Sequence, residues 1–431
     1  MKAFATSTAP WAFVPAQRCC RIASLFLLLA GSASATPWHT MGPRAMGMGG
    51  AHVAVAQGPS AAYWNPAGLG QLFDASGIEL VTSIRAEATG GVLLGANDLN
   101  QLSKDCSVTP QVCTLDRVSK ALDRMDHAGN GASFDAGLSV GARVGHGMLF
   151  VHSLTYVGGT PEVDHVNNTA ATLSLNNSKL KLRGGNFTHV GYGMGRELGK
   201  SGFVVGANLK LIVGSIGYRE MIVVNEDPGA GSFWRYDKNS KTSLAPGVDV
   251  GAFWDMRETF PSLPGRPRIG VVGRNINNPT FEQPDAATVA GDRTRYSLQA
   301  QSRAGLAIQP YNFVTVAADL DLTKNITPID RFRSRFISAG IEIRAHNEGF
   351  SMPFRMGVQK NIANADSAVA YTGGTALEFS QFKFEVAFQI SPTATAFQSE
   401  RETKRVPNNV AGSVRLAWEF GGTESDLGLP Y

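Results

Sequence analysis

Gly137-Leu138-Ser139-Val140-Gly141 matches the G-x-S-x-G pattern that, in serine hydrolases, sets the nucleophile on a sharp strand-to-helix turn. Here Ser139 falls inside an unbroken apolar alternation, on the same face as Asp135 and Arg143, and no helical pattern follows. The stretch therefore reads as mid-strand. His152 and Ser153 are adjacent, which in a strand sends their side chains to opposite faces. With no nucleophile, histidine and carboxylate or amide in a usable grouping, the chain is not expected to be an enzyme. Gly199-Lys200-Ser201 ends like a phosphate-binding loop, but Met194 stands where the first glycine is needed, and a turn between strands is the better reading. The eight histidines, among them His52, His127, His146 and His152, show no H-x-x-x-H spacing, so neither a metal nor a cofactor is expected. Cys106 and Cys113 are the two cysteines beyond residue 35, and in an exported chain a disulfide closing that short loop is favoured over a reactive thiol.

The elements that position these residues begin with an export signal. Lys2, Arg18 and Arg21 precede an apolar run from Ile22 to Ala30, and Ala33-Ser34-Ala35 supplies small residues for cleavage after Ala35. Cys19 and Cys20 lie ahead of that run, so no lipid anchor is read. The first 35 residues carry three positive charges and no acidic one, which lowers the net charge from +4 to +1 and leaves no electrostatic case for a nucleic-acid partner. No later stretch approaches the roughly 20 consecutive apolar residues of a membrane helix. Charged residues are only 17% of the chain and glycines number 48, a sparse charge count for a water-soluble surface.

Beyond residue 76, apolar residues recur at every second position in segment after segment, the period of a strand with two unlike faces. Phe134, Ala136, Leu138, Val140, Ala142 and Val144 share one face against Asp135, Ser139 and Arg143. The same pattern marks 205–213, 337–343, 382–388 and 410–420, and more weakly 77–88, 147–158, 179–193, 215–224, 245–255, 267–275, 297–309, 312–322, 352–360 and 368–379. These are about the 9 to 11 residues of a tilted bilayer-crossing strand. An open sheet edge in lipid would leave backbone groups unpaired, so closure is required. With about fifteen such segments and the even strand number of single-chain barrels, the expected fold is an all-β transmembrane antiparallel barrel, residues 77–420, followed by a tail at 421–431. Trp254, Trp418, Phe420 and Tyr156 suit interfacial girdles. Asp249, Arg268, Asp319, Asp321, Arg344 and Glu385 are expected to form a mutually paired lumen lining. Residues 96–127 put Leu115, Val118, Leu122 and Met125 at helical spacing, predicting a partly helical, disulfide-containing loop that either contacts a ligand or serves as a packed lid. The polar stretches 159–178, 225–243 and 277–296 are expected to be further extracellular loops. The terminal signal for the barrel-insertion machinery is either Trp418 and Phe420 or Tyr431.

The stretch from Pro43 to Leu69 is small, apolar and Gly-rich, and predicts a compact coil packed inside something else. Arg44, Gly49, Gly50, Ala51, Ala61, Ala62 and Asn65-Pro66-Ala67-Gly68-Leu69 resemble the two linked hatch motifs of outer-membrane transporters of the long-chain fatty-acid (FadL-like) family. Val271-Val272-Gly273-Arg274-Asn275-Ile276-Asn277-Asn278-Pro279-Thr280-Phe281 looks like a mid-barrel element of the same family, especially of its barrel branch that goes by the name conjugal transfer protein TraF. The resemblance implies about 14 strands, with 36–76 as a hatch inside the lumen of an outer-membrane barrel. It also implies passage of hydrophobic small molecules such as long-chain fatty acids, with lateral release into outer-membrane lipid. Gly49 and Gly50 would then allow close approach to the wall, and Asn65 and Pro66 would fix the bend. Arg44 would pair with a lumen carboxylate or a ligand carboxylate, while Tyr63 and Trp64 would contact cargo or, the favoured reading, anchor the hatch. The alternative is a non-transporting barrel that scaffolds a conjugation or secretion apparatus.

Overall fold

Period-two alternation carries through to three dimensions. The computed structural model describes residues 36–71, 76–108, 115–167, 172, 175–199, 201–222, 239–347, 349–364, 367–398 and 403–420. After two one-turn helices, α1 (Pro43–Gly47) and α2 (Ala61–Trp64), come β1 (Ser76–Thr89), a helical pair α3 (Val92–Val108) and α4 (Leu115–Met125), β2 (Gly131–Val144) and β3 (Gly147–Glu162). Next are β4 (Lys179–Glu197), β5 (Phe203–Ile222), β6 (Ser240–Asp255), α5 (Met256–Thr259) and β7 (Arg268–Arg274). The chain continues through β8 (Thr280–Glu282), α6 (Asp285–Val289), β9 (Arg295–Ser297), β10 (Gln301–Tyr311), β11 (Val314–Asp321), β12 (Asn325–Ile326) and β13 (Arg333–Ser334). It ends with β14 (Phe336–Asn347), β15 (Phe350–Asn361), β16 (Val369–Phe379), β17 (Phe382–Ile390), β18 (Ala394–Gln398), β19 (Thr403–Pro407) and β20 (Asn409–Phe420).

Fourteen of these strands close into one antiparallel barrel, in the order β1-β2-β3-β4-β5-β6-β7-β10-β11-β14-β15-β16-β17-β20, with β1 sealed to β20 from Ser76↔Phe420 to Glu87↔Asn409. The remaining short strands form three separate hairpins, β8–β9, β12–β13 and β18–β19. Of the expected segments, 205–213 and 215–224 are one strand, β5. Gly214 interrupts the apolar pattern but not the ladder, and it has no side chain because the Phe281 ring lies over it, 2.4 Å from where a Cβ would stand.

The greasy face points out and the charged face in. Leu138 is 48% exposed while its neighbour Ser139 is 1% exposed, and Ile78, Leu80 and Ile84 of β1 are exposed while Glu79, Ser83 and Arg85 are buried. Tyr156 departs from the expected girdle: it sits on the inner face of β3, buried against Phe187 and His39, because its register places it with His152 and Leu154. At the end of the barrel where strands are joined by short turns, aromatics do cluster. Phe203 stacks on Trp254 at 4.8 Å, Tyr311 on Phe313 at 5.7 Å and Phe382 on Trp418 at 6.0 Å. From Phe203 to Ser215 on β5, and from Trp254 back to Thr242 on β6, alternate residues form an apolar band bounded at the far side by polar groups: Thr242 Oγ1 donates to Ser215 Oγ (3.2 Å), and Asn186 Nδ2 donates to Thr155 Oγ1 (2.8 Å).

The other end carries the long connections, including α3–α4, β8–β9, β12–β13 and β18–β19. Leu122 and Met125 of α4 pack with Leu99, Val118 and Val163. The Cys106–Cys113 pairing lies outside the described residues, as do the signal and the 421–431 tail. Of the 277–296 stretch expected as an outer loop, β8, α6 and β9 instead turn inward over β5, where the Phe281 ring meets Phe187 and covers Gly214.

Candidate functional site

Residues 36–71 pack against inner-face side chains on strands right round the barrel. The expected coil has more structure than that: α1, α2 and a 3₁₀ turn at Pro66–Gly70. Each is about one turn long, so the glycine penalty, which applies to helix interiors, falls mainly outside them. Pro43 and Pro66 open their turns at a position where no amide is required. Asn65 sets the bend: its Oδ1 accepts from Ala67 N (3.1 Å), and its Nδ2 donates to Val53 O (3.1 Å) and to Ala252 O of β6 (3.3 Å).

Docking to the wall is backbone against backbone. Gly49 and Gly50 have φ of +70° and +93°, and a Cβ on Gly49 would stand 2.4 Å from Val358 O and 2.8 Å from Ala339 O. The wall answers with Gly340 and Gly357, each of which would drive a Cβ into the backbone of Met48. Gly49 N–H donates to Thr372 Oγ1 (3.0 Å), whose hydroxyl donates to Gly47 O (2.9 Å). The amides of His52 and Val53 both donate to Asp319 Oδ2, at 2.8 and 3.0 Å. Tyr63 and Trp64 are 3% and 1% exposed; Tyr63 OH donates to His39 O (2.7 Å) and Trp64 Nε1 to Met41 O (2.8 Å). Arg274 lies over Tyr63 (4.3 Å) and Trp38 (4.8 Å), and Arg303 over Trp38 (4.5 Å), so two wall cations face this aromatic cluster.

Arg44 grips Glu342 of β14 with both Nε and Nη2, each at 3.0 Å. Glu342 also accepts from Arg355 (2.6 Å), which reaches Glu385 (2.6 Å); Glu385 meets Arg415, and Arg415 continues to Glu79 (2.8 Å) and Glu419 (2.9 Å). Arg344–Glu378 and Lys383–Glu419 complete the group. It holds five cations and five carboxylates, so a network with little water access carries no net charge. Elsewhere Lys210 pairs with Asp249 (2.7 Å), Arg303 with Asp321 (2.6 Å) and Arg268 with Asp255 (2.7 Å). Asp319 differs from the expected paired lining, because it serves backbone amides of the N-terminal segment. Lys210, Glu342 and Arg415 fall on the charged faces of clearly alternating strands, whereas Arg303, Arg355 and Thr372 give no signal beyond a lone polar residue on an inward face.

Ser139 and His152 do meet: Ser139 Oγ lies 2.8 Å from His152 Nδ1, brought together by neighbouring strands rather than by adjacency in sequence. His152 Nε2 has no partner among the described residues, so no carboxylate orients the ring as a general base. His146 Nδ1 donates to Leu69 O (3.2 Å), and Gly199 forms a left-handed turn between β4 and β5. Among the described residues no group of three His, Cys, Asp or Glu could hold a metal.

At the long-loop end, beside the start of the N-terminal segment, is a cavity of ≈ 330 Å³. Tyr156, Phe187, Ile216, Tyr296 and Ile329 form an aromatic and aliphatic patch of its lining beside Thr36, and Arg183, Arg293, Arg295, Arg331, Arg333, Asp292 and Asp330 make the rest of it strongly charged. Gln301 Nε2 holds Thr36 O at 2.6 Å. On the rim, Arg183 binds Asp292 through Nε (2.9 Å) and Nη2 (3.0 Å) and also contacts Asp330.

An apolar outer face, a paired polar interior and full closure by β1–β20 define a closed fourteen-stranded antiparallel β-barrel. The chain belongs to the family described as F plasmid transfer operon, TraF, protein, whose model matches residues 62–321. Among solved structures it is similar to the deltaS2 mutant of the TodX monoaromatic hydrocarbon channel, with 12% identity over 88% of this chain and 99% of that one and a TM-score of 0.50. The CymD monoaromatic hydrocarbon channel gives 13% identity over 90% and 99%, with a TM-score of 0.49. The Ralstonia pickettii toluene transporter TbuX gives 14% over 88% and 98%, with a TM-score of 0.48. No curated protein matches the chain.

Proposed function

We propose that this protein is an outer-membrane passage for hydrophobic small molecules, with residues 36–76 acting as a hatch that closes the lumen of a barrel formed by 77–420. The observation that carries the reading is the cavity lined by Tyr156, Phe187, Ile216 and Tyr296 and touching Thr36, where an apolar patch meets the start of the segment that fills the barrel. Its volume is at the small end of the roughly 300–1,000 Å³ of ligand pockets. Binding there needs only apolar burial, about 0.8 kcal/mol per CH₂, so a dozen carbons suffice without covalent chemistry. Supporting the membrane placement is the apolar band on β5 and β6. Twelve residue steps at about 3.4 Å, tilted about 40°, give a height of roughly 30 Å between the aromatic ring and the outward Ser215–Thr242 pair.

Export with cleavage after Ala35, a Cys106–Cys113 bridge in the β1–β2 connection and recognition by the barrel-insertion machinery belong to the same proposal. Long-chain fatty acids are the first cargo to try. Monoaromatic hydrocarbons, which the name of TodX gives for that channel, are the second. The test is uptake of labelled fatty acid and of labelled toluene by cells bearing the intact protein, by cells bearing Asn65→Ala/Pro66→Ala at equal surface level, and by empty cells. Uptake that depends on the intact hatch supports a gated passage. Uptake equal to that of empty cells for both probes supports instead a barrel that scaffolds a transfer or secretion apparatus, a reading favoured by the family description alone.

A further inference from the structure

A second cavity, of ≈ 390 Å³, lies at the long-loop end. The hairpin of β12 and β13 stands between the two cavities: Ile329, Arg331 and Arg333 line the one described above, whereas Phe332 lines this one. Its other walls come from Thr89 at the end of β1, Asn130 just before β2, Asn364 between β15 and β16, and Thr393 and Asn408 between β17 and β20. These connections are tied to one another. Ala88 N donates to Asn408 O (2.7 Å), Asn408 N to Thr393 O (2.9 Å) and Thr89 Oγ1 to Gly129 O (2.6 Å). The frame is therefore held by hydrogen bonds that cross from one connection to the next.

The lining is polar without an unbalanced charge. Glu87 is the one ionisable group among its described residues, and Arg85 bonds that carboxylate. Four asparagines supply most of the polarity, and each has one end of its amide committed to the protein. Asn130 Nδ2 donates to Arg124 O (3.1 Å) and Met125 O (3.2 Å), and Asn364 Nδ2 donates to Arg333 O, so both keep Oδ1 as an acceptor. Asn408 Oδ1 accepts from Thr395 Oγ1 (2.9 Å) and Asn409 Oδ1 from Gln389 Nε2 (2.9 Å), so both keep Nδ2 as a donor. Those four remaining ends have no partner among the described residues. Because the committed end fixes which way each amide faces, two acceptors and two donors are set in advance.

An anion would find no free cation here, and an apolar molecule would leave the amide ends unpaired. A polyhydroxylated molecule matches, since each hydroxyl both donates and accepts. Phe332, the one aromatic residue of the lining, offers apolar surface to the C–H face of a pyranose ring. The volume falls within the roughly 300–1,000 Å³ of ligand pockets. We propose that this cavity binds a neutral saccharide of one or two hexose units through Asn130, Asn364, Asn408 and Asn409, independently of the apolar patch beside Thr36. The hexose comes either from free oligosaccharide or from the outer sugars of lipopolysaccharide.

The test uses the full chain in lauryldimethylamine oxide, a detergent without a sugar head. Maltose, lactose and mannobiose are the probes, read by saturation-transfer difference NMR. Asn408→Asp and Asn409→Asp each keep the oxygen that Thr395 or Gln389 bonds and turn the spare donor into an acceptor. Each is expected to weaken binding by about tenfold or more. Ser367→Trp, which fills the cavity from the β15–β16 connection, is expected to abolish it. Unfolding midpoints are read on the same samples, and loss of sugar at an unchanged midpoint is the expected result. Absence of transfer to all three disaccharides in the unmodified protein overturns the proposal, as does binding that survives all three substitutions. The source is read by displacing the bound disaccharide with lipopolysaccharide that keeps or lacks its outer-core hexoses. Displacement by the hexose-bearing form alone assigns the site to the membrane's own sugars, and displacement by neither form assigns it to free oligosaccharide. Equal displacement by both forms overturns recognition of a hexose.

Discussion

Gly49→Ala is the sharpest way to test whether close backbone approach holds the N-terminal segment in its seat. The added methyl carbon would stand 2.4 Å from Val358 O and 2.8 Å from Ala339 O, both on wall backbone that cannot swing aside, at a φ of +70°. The left-handed conformation costs about 1–2 kcal/mol for a residue with a Cβ. Overpacking adds about 1–3 kcal/mol, for a total of about 2–5 kcal/mol. At a factor of ten per 1.4 kcal/mol, the unseated fraction should rise roughly 30-fold at the low end and several thousand-fold at the high end. Gly145→Ala is the control: its φ is +57° but nothing lies within 4 Å of the position a Cβ would take, so only the backbone cost applies. The assays are ion conductance of single barrels in planar bilayers and protease cleavage between residues 43 and 69. Frequent open events and faster cleavage in Gly49→Ala but not in Gly145→Ala are expected. Indistinguishable behaviour of the two variants would refute the close-approach argument.

Arg44→Ala should loosen the same seat by less than the 3–5 kcal/mol of an orphaned buried charge, about 1–3 kcal/mol, because Arg355 still bonds Glu342 at 2.6 Å; a Glu342→Gln/Arg44→Ala cycle read by the same cleavage rate measures the coupling. Ser139→Ala should leave uptake unchanged, and the unaltered protein should not be labelled by a fluorophosphonate, since His152 bonds Ser139 through Nδ1 and no carboxylate orients the ring. In the loop after β3, the hydrogen bond to Asp126 raises the His165 pKa above its usual 6.5. A raised imidazole stabilises the contact fully below pH 6.5 and loses that contribution as pH rises through the folded value, so protease resistance of α4 should fall over that range. Asp126→Asn should flatten this dependence, and an unaltered pH profile in that variant would count against it.

The strands were legible because a barrel wall has one dry and one polar face, and a period of two writes that difference directly into residues such as Phe134, Asp135 and Leu138. Strand boundaries were less legible: Gly214 looked like a break because the reason for its missing side chain, the Phe281 ring, lies 67 positions along the chain. Arg44, Gly49 and Asn65 could be picked out by type and spacing. Their partners Glu342, Val358 and Ala252 could not, because pairing across a barrel depends on register and shear, which no local pattern encodes. Tyr156 was misplaced for a related reason, as an aromatic near a strand end serves either face. The inward turn of β8, α6 and β9 was hidden because a polar stretch between strands gives no sign whether it leaves the barrel or folds back into it.

The wiring of the N-terminal segment also orders events during folding. Arg44 bonds a residue 298 positions later, Gly49 one 323 later and His52 one 267 later, and β1 is sealed only when β20 arrives. No seat exists for Trp38, Tyr63 and Trp64 until most of the wall is made, so these side chains stay unburied until late in folding, when exposed apolar surface favours aggregation. Once the last strand closes, the same stretch is enclosed by the sheet. Seating and closure are therefore coupled, because the contacts of the segment lie on strands whose mutual placement is final only when β1 and β20 pair.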